Sequence, residues 1–296
     1  MKVMKFGGTS VGSPQRMQDV SQLITKSGEP TFVVLSAMSG TTNSLIEVCD
    51  YLYKKNSDGA NEVINTLEKK YMKHVDELYS TQEMKETTRK FLADEFRYLR
   101  SFTKDIFTSF EERIIVAQGE VISTNMVVNY LKEIGIKALL IDALDFMRTD
   151  KNAEPDAHYI KEHLSEIMSA NKGYQIYITQ GFICRNAYGE VDNLQRGGSD
   201  YTASLIGAAL MADEIIIWTD IDGMHNNDPR IVDKTEAVHQ LHFEEAAELA
   251  YFGAKILHPT CVQPAKFTGI PVRIKNTMDP EADGTVINNT LKRCAI

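Results

Sequence analysis

Short apolar runs alternate with longer segments of mixed polarity along most of this chain. In chain order the runs are VMKF, TFVVLSA, KALLIDA, YQIYITQGF, EIIIWTD and PVRIKN. Most of the segments between them are long enough to form a helix, and this alternation predicts an α/β fold with a mostly parallel sheet. The first run, Met1 to Phe6, is bounded by glycine and predicts a buried strand.

Two regions depart from this alternation. Residues 45–110 are highly charged, contain almost no glycine, and repeat apolar residues three and four positions apart. One such face comprises Leu67, Tyr71, Val75 and Leu78. The pattern predicts helices that pack on the sheet as a cap or lobe, and a solvated surface insertion is equally compatible with it. Polar residues and glycine between Asn186 and Leu194 predict a hairpin that divides the chain into two halves.

Composition narrows the classes of function. The 296 residues are 43% hydrophobic and carry a formal charge of -9, from 41 acidic and 32 basic side chains. This balance argues against a broad surface for nucleic acid or an anionic membrane, so a phosphate ligand must be held locally. No signal peptide or membrane-spanning run is evident, and we expect a cytoplasmic protein. The cysteines are far apart and predict packing roles in a reducing compartment; they are Cys49, Cys184, Cys261 and Cys294.

The first candidate site follows the first strand, in KFGGTS. Gly7 and Gly8 can turn the backbone with positive φ, so that successive N–H groups converge on one anion beside the charge of Lys5. A plain strand-to-helix turn with a surface lysine fits this stretch alone equally well.

A second glycine pair opens the apolar helix predicted by RGGSDYTASLIGAAL. Ser199 or Asp200 can cap this helix, and its N-terminus together with Arg196 favours a carboxylate or phosphate. A structural cap with a solvent-facing arginine is the simpler account of this motif alone. The occurrence of two such motifs in one chain favours an anion site.

The loop WTDIDGMHNNDPR follows the strand EIIIW, where open α/β sheets bind ligands. Its aspartates can be turn residues only, whereas Arg230 and Lys255 are basic side chains in loops otherwise poor in positive charge. Walker A, GxGxxG and GxSxG motifs are absent. We predict no metal site at His239 and His242, because HFEEAAELA is typical of a helix with an acidic first turn.

In order, KFGGTSV, LSAMSGTTN, QGE, RGGSDYTA, TDIDG, DPR and GAKILHP resemble the motif series of the aspartate kinase family. The resemblance extends from Lys5 to about Ile287. It implies the amino acid kinase fold, a three-layer αβα sandwich with a mostly parallel central sheet, here with a helical insertion between about 45 and 110. It also implies Mg²⁺- and ATP-dependent phosphorylation of the side-chain carboxylate of L-aspartate, the first step in making lysine, threonine and methionine.

The resemblance further implies domain boundaries and roles for single residues. The catalytic domain would span 1–288, with a substrate lobe over about 1–190, a nucleotide lobe over about 191–288 and a tail over 289–296. Lys5 would stabilise the transferring phosphoryl group and Asp200 would orient the lysines and the metal-bound phosphates. Aspartate would contact Ser36, Thr42, Glu120, which pairs with its ammonium, and Arg196, which grips a carboxylate. ATP would contact Lys5, Gly7, Gly8, Thr9, Ser10, Gly197, Gly198, Ser199, Thr219, Asp220, Asp228, Arg230 and Lys255.

Some positions depart from the family pattern. Met224 and His225 replace an aliphatic and tyrosine pair, and Gln195 replaces a small residue. Family members usually continue into paired ACT domains, whereas this chain ends at NNTLKRCAI. We therefore expect no inhibition by lysine or threonine at their usual sites, and a homodimer weakened by the missing region. A glutamate or acetylglutamate kinase, or a catalytically silent protein that binds aspartate or nucleotide, remain the alternatives.

Overall fold

The computed structural model describes residues 1–104, 106–194, 197–227, 232, 234–252 and 257–290. The strands are β1 (Lys2–Phe6), β2 (Thr31–Leu35), β3 (Ala138–Leu140), β4 (Ile176–Gln180), β5 (Ile183–Arg185), β6 (Val191–Asn193), β7 (Glu214–Thr219), β8 (Gln240–His242), β9 (Val272–Asn276) and β10 (Thr285–Asn288). The helices are α1 (Pro14–Thr25), α2 (Thr41–Tyr53), α3 (Ser57–Leu78), α4 (Gln82–Ser101), α5 (Ser109–Glu133), α6 (Ala157–Ala170), α7 (Gly198–Leu210), α8 (Phe243–Phe252) and α9 (Gln263–Thr268).

Within the described ranges, eight strands form one sheet in the order β3-β4-β2-β1-β7-β9-β10-β8. The six strands from β3 to β9 in this order are parallel, β10 is antiparallel to β9, and β8 is parallel to β10. β1 lies between β2 and β7, with Lys5 opposite Val34 and Ile217. The prediction of a mostly parallel sheet is confirmed, and the carboxyl ends of its central strands meet at one edge.

Helices cover both faces of the sheet. On one face, Met4 and Phe6 of β1 join a buried cluster with residues of α1 to α5, and on the other face Val3 joins a cluster with residues of α6 to α9. Strands buried on both faces lose the polar alternation of a half-exposed sheet, which explains the nearly continuous apolar runs. The predicted three-layer αβα arrangement is confirmed.

The charged region between about 45 and 110 is helical, as predicted. It contains most of α2, all of α3 and α4, and the start of α5. The predicted apolar face of α3 is buried in the first cluster, so these helices pack on the molecule and are not a solvated insertion.

The predicted hairpin is formed by β5 and β6, which pair antiparallel. The Asn186 side chain builds its turn, because Oδ1 accepts hydrogen bonds from the N–H groups of Tyr188 (2.9 Å) and Glu190 (3.0 Å). The proposed lobe boundary at about 190 falls in this hairpin and stays a prediction.

Cys49, Cys184 and Cys261 are buried and free, in agreement with packing roles, and Cys294 lies outside the described residues. None of the helices in the described part of the chain has the length and apolarity that crossing a bilayer requires.

Candidate active site

An ion pair marks the edge of the sheet where β1 ends. Lys5 Nζ lies 2.7 Å from Asp200 Oδ1, and the two side chains are 12% and 18% exposed. Lys5 is fixed by β1, in the middle of the sheet, and Asp200 lies in the first turn of α7. The structure therefore brings together the two predicted catalytic residues, which are 195 positions apart in sequence, with a cation held beside a helix N-terminus.

The glycine loop after β1 is needed for close approach. Our prediction of positive φ at Gly7 and Gly8 is wrong, because neither residue is among the positive-φ glycines. A Cβ on Gly8 would lie 2.7 Å from the carbonyl oxygen of Ala37, well inside van der Waals contact. The Ser39 N–H donates to the carbonyl of Gly8 at 3.1 Å, so the loop after β1 packs directly on the loop after β2.

Hydrogen bonds also hold Thr9 and Ser10, the next two residues of this loop. Thr9 accepts a hydrogen bond on its carbonyl from Arg16, and the buried Ser10 Oγ lies 2.6 Å from Thr277 Oγ1. Thr277 in turn donates to the carbonyl of Thr219 at 3.0 Å. The Ser10 hydroxyl is thus engaged with Thr277, a residue our sequence reasoning missed, although it directly follows the last predicted strand.

A cavity of about 370 Å³ opens beside this loop. Its wall combines the loops after β1 and β2, the first turns of α2 and α7, Glu120 of α5, and Phe182 after β4. Thr42, predicted to bind substrate, lies in this wall.

Both helices that begin at the cavity have glycine at the N-cap. Gly40 precedes α2 with φ 83°, Gly197 precedes α7 with φ 76°, and neither helix has a side-chain hydrogen bond at its cap. The prediction that Ser199 or Asp200 caps α7 is therefore wrong. Because no side chain of the described ranges accepts a hydrogen bond from the N–H groups of these first turns, both helix ends offer donors and positive potential to an anion in the cavity.

Glu120 supplies a buried acceptor to the same cavity. Its side chain is on α5, and the residue is 5% exposed. Oε1 accepts a hydrogen bond from the Ala37 N–H at 3.1 Å, whereas Oε2 is buried without a hydrogen-bond partner among the described residues. Burial raises the pKa of this carboxyl to about 7. An unpartnered carboxylate oxygen in such a place calls for a cationic ligand.

Ser36 connects the strand end to α7. Its Oγ donates to Ser199 Oγ at 2.9 Å, and its carbonyl accepts from Ser123 Oγ, one turn beyond Glu120, at 2.6 Å. A Cβ on Gly181 would lie 2.3 Å from Ser199 Oγ, so only glycine fits there. Sequence reasoning missed both Ser123 and Gly181, because nothing in the local sequence indicates the contacts they make.

The loop after β7 begins directly after Thr219, the last residue of that strand. Thr219 Oγ1 donates to Asp220 Oδ1 at 3.2 Å, and the Asp220 side chain is exposed. His225, one of the two residues that depart from the family pattern, lies 2.7 Å from Asp222 Oδ1 through Nε2 and 2.8 Å from Thr235 Oγ1 through Nδ1. This hydrogen bond from His225 lowers the pKa of Asp222.

Met224, the other departure, is fully buried. Both departures thus anchor the loop to the protein interior. The remaining predicted residues, Arg196, Asp228, Arg230 and Lys255, and the departure Gln195 lie outside the described residues.

Comparison with known proteins gives the family and the fold of the chain. Residues 1–276 match the amino acid kinase family. The chain is 37% identical to aspartokinase 1, chloroplastic, of Arabidopsis thaliana, over 97% of this chain and 52% of that protein. It is 34% identical to lysine-sensitive aspartokinase 3 of Escherichia coli K12, over 97% of this chain and 64% of that protein. The chain thus spans about half to two thirds of the length of these curated relatives.

Solved structures show the same likeness. Aspartokinase III of E. coli in complex with aspartate and ADP has a TM-score of 0.88 and 32% identity, covering 99% of this chain and 65% of that one. A UMP kinase of Bacillus anthracis, 14% identical with a TM-score of 0.53 over 98% of this chain and 96% of that one, shares the fold alone. With a family match over nearly its whole length and an α/β sandwich of the same kind, the chain belongs to the amino acid kinase family.

Proposed function

We propose that this protein uses ATP to phosphorylate the side-chain carboxylate of L-aspartate, giving 4-phospho-L-aspartate in the first step of lysine, threonine and methionine synthesis. One observation carries the proposal. Among the described residues, the cavity offers a buried carboxylate oxygen without a hydrogen-bond partner and two helix N-termini without side-chain caps.

These three features match the charges of a dicarboxylic amino acid. An ammonium beside Glu120 Oε2 would compensate a buried acceptor that costs free energy when unpaired. Two carboxylates would each accept N–H donors at the start of α2 or α7. Acetylglutamate fits less well, because its acetylated nitrogen carries no positive charge. The E. coli aspartokinase III structure is described as a complex with aspartate and ADP, which supports aspartate and an adenine nucleotide as ligands of this chain too.

The ion pair of Lys5 and Asp200 suits phosphoryl transfer. The acceptor carboxylate has an ordinary pKa of about 3.9 and is ionised at neutral pH, so the reaction needs no general base. The main obstacle is repulsion between the carboxylate and the γ-phosphate, which a fixed cation reduces. Lys5, held against Asp200 before any substrate arrives, would provide that charge without reorganisation. A carboxylate oxygen attacks the γ-phosphorus, the bond to the β,γ-bridging oxygen breaks, and ADP leaves.

The residues present fit Mg²⁺ as a partner of ATP more than as a resident ion. Within the described ranges, no three His, Cys, Asp or Glu side chains group as a metal site. Mg²⁺ commonly binds one or two carboxylates together with substrate phosphates, and Asp200 is a carboxylate in the right place. When bound, Mg²⁺ supplies neutralisation of phosphate charge.

For the nucleotide we propose the loop after β1 and the loop after β7. In the described part of the chain the N–H groups of Gly8 and Thr9 donate no hydrogen bond, which leaves them for phosphate oxygens. Gly197, Gly198 and Ser199 would add donors from α7. Thr219, Asp220, Asp228, Arg230 and Lys255 stay proposals for ATP, as Arg196 does for a substrate carboxylate.

The buried free thiols support a reducing compartment, for which we propose the cytoplasm. The Arabidopsis relative is named chloroplastic, so the location of a labelled protein in its own cell is the test.

A trapping assay tests the reaction. The protein is incubated with Mg-ATP, hydroxylamine and one acceptor at a time: aspartate, glutamate or acetylglutamate. Hydroxylamine converts an acyl phosphate into a hydroxamate, which gives a coloured complex with added Fe³⁺. We expect this product with aspartate and not with the Lys5→Ala variant. Hydroxamate from another acceptor alone would leave the fold assignment unchanged and show that aspartate is not the substrate. No hydroxamate with any acceptor, together with binding of aspartate or nucleotide, would favour the catalytically silent protein.

A further inference from the structure

Helix α3, in the region that our sequence analysis treated only as a cap or lobe, contacts residues next to the cavity. The Tyr71 hydroxyl lies 2.7 Å from Thr41 Oγ1, and both residues are fully buried. The preceding residue, Lys70, donates from Nζ to the carbonyl of Ser39 at 3.3 Å. Two consecutive residues of α3 therefore contact the loop after β2 and the first residue of α2.

The loop after β2 and the first turn of α2 form part of the cavity wall. Thr41 is the first residue of α2, and its N–H donates to the carbonyl of Met38 at 2.9 Å. The next two residues, Thr42 and Asn43, line the cavity. Ser39 donates to the carbonyl of Gly8, so the loop after β2 is also hydrogen-bonded to the loop after β1.

We infer that Tyr71 is a positioning residue, which acts through Thr41 to hold the N-terminal turn of α2 where its N–H groups meet a substrate carboxylate. The inference rests on the proposed function for the identity of the ligand. Tyr71 itself is not in the cavity wall, and a carboxylate bound at α2 depends on it only through the direction of that helix end.

The Tyr71 hydroxyl is neutral in this contact. Burial raises the pKa of Tyr71 far above its usual value, and the nearby Glu120 carboxylate raises it further. Thr41 opposes these effects by its hydrogen bond. The hydroxyl thus keeps its proton, and the pair of hydroxyls always has a donor.

The test compares two tyrosines of the same helical region. Tyr79 is also buried, and its hydroxyl donates to the carbonyl of Met126 at 2.7 Å, away from the cavity wall. Both Tyr71→Phe and Tyr79→Phe remove one hydroxyl and keep the ring. We expect Tyr71→Phe to lower kcat/KM for aspartate about tenfold, with KM for ATP unchanged, and Tyr79→Phe to leave both constants unchanged. Similar thermal midpoints for the two variants would show that general destabilisation is not the cause.

Hydrogen exchange gives a readout that needs no substrate. Amides of residues 39–45 should exchange faster in Tyr71→Phe than in the wild type and in Tyr79→Phe. In Thr41→Val, which removes the partner hydroxyl, the same amides should exchange faster, and adding Tyr71→Phe to it should cause little further change.

These readouts separate this inference from the proposed function. If the wild type makes no hydroxamate from aspartate, the proposed function fails, and exchange at residues 39–45 still decides whether Tyr71 positions α2. Unchanged exchange in Tyr71→Phe, or equal effects of Tyr71→Phe and Tyr79→Phe on exchange and kcat/KM, would overturn the inference.

Discussion

The site has two ends: Lys5 at one end is held by the centre of the sheet, whereas Glu120 at the other end, in the cavity wall, is held by helices. Lys5 belongs to β1, which has β2 on one side and β7 on the other, and its charge is already paired with Asp200. Glu120 lies on α5, accepts a hydrogen bond from the Ala37 N–H, and has one oxygen without a hydrogen-bond partner in the part of the chain that the structure describes. The ammonium of Lys5 is therefore compensated by a carboxylate, whereas the carboxyl of Glu120 has no cation beside it among the described residues.

This difference suggests a division of labour. A cation fixed in the sheet before substrate arrives can stabilise charge that develops during phosphoryl transfer. A buried carboxyl that gains a partner only on binding contributes mainly to substrate affinity. We therefore expect changes at Lys5 to lower kcat and changes at Glu120 to raise KM.

The largest effect should come from Lys5→Ala. Removal of the only cation that the described residues place at Asp200 should lower kcat about a thousandfold. Lys2→Ala is the matched control, because Lys2 is on the same strand and its ammonium is 3.9 Å from Glu214, away from the site. The measurement is steady-state hydroxamate formation for both variants. A near-normal kcat in Lys5→Ala would show that Lys5 does not take part in the reaction.

The second effect, on affinity, should appear in Glu120→Gln. The amide keeps an oxygen for the Ala37 N–H but carries no charge for an ammonium, so KM for aspartate should rise about a hundredfold. The loss in kcat should be much smaller. Glu133→Gln on the same helix is the control, since Glu133 accepts hydrogen bonds from Ser80 and Thr81 at the surface. A fall in kcat without a rise in KM would contradict the proposed division between the two ends.

The same two ends differ in what the sequence reveals. KFGGTS and RGGSD each place glycine and a charged side chain beside an apolar run, so the two motifs together favour an anion site. Glu120 has no such signal, because QGE lies inside a helix that is buried over most of its length. Only the resemblance to a family pointed to it, and residue contacts such as Tyr71 with Thr41 join positions that are 30 apart.

Other errors have physical causes as well. β8 and β10 are three and four residues long, too short to give a recognisable apolar pattern. At Gly8 the sequence showed that glycine was needed, but a close approach to Ala37 and a positive φ require the same residue, and only coordinates separate them.

A third prediction concerns pH. The pKa of Glu120 is about 7 in the free protein, so the carboxyl is protonated below that pH and charged above it. Ammonium binding needs the charged form, and KM for aspartate should therefore rise about tenfold when pH falls from 8 to 6. The measurement is KM against pH in the wild type and in Glu120→Gln, where this dependence should vanish. Equal pH dependence in both would assign the titration to another group.

The smallest effect should come from Ser10→Ala. This variant tests whether ATP binding can be weakened while aspartate binding is unchanged. Ser10 connects the loop after β1 to Thr277, and Thr277 to the end of β7. Loss of this buried hydroxyl should lower the free energy of unfolding by about 1 kcal/mol. KM for ATP should rise severalfold while KM for aspartate stays unchanged, because the link does not involve α2 or α5. Ser21→Ala is the control, since Ser21 is equally buried and its hydroxyl donates to the carbonyl of Met17 in its own helix. A rise in KM for aspartate equal to that for ATP would mean that the two ends move as one unit, and the comparison between a sheet-held and a helix-held end would lose its basis.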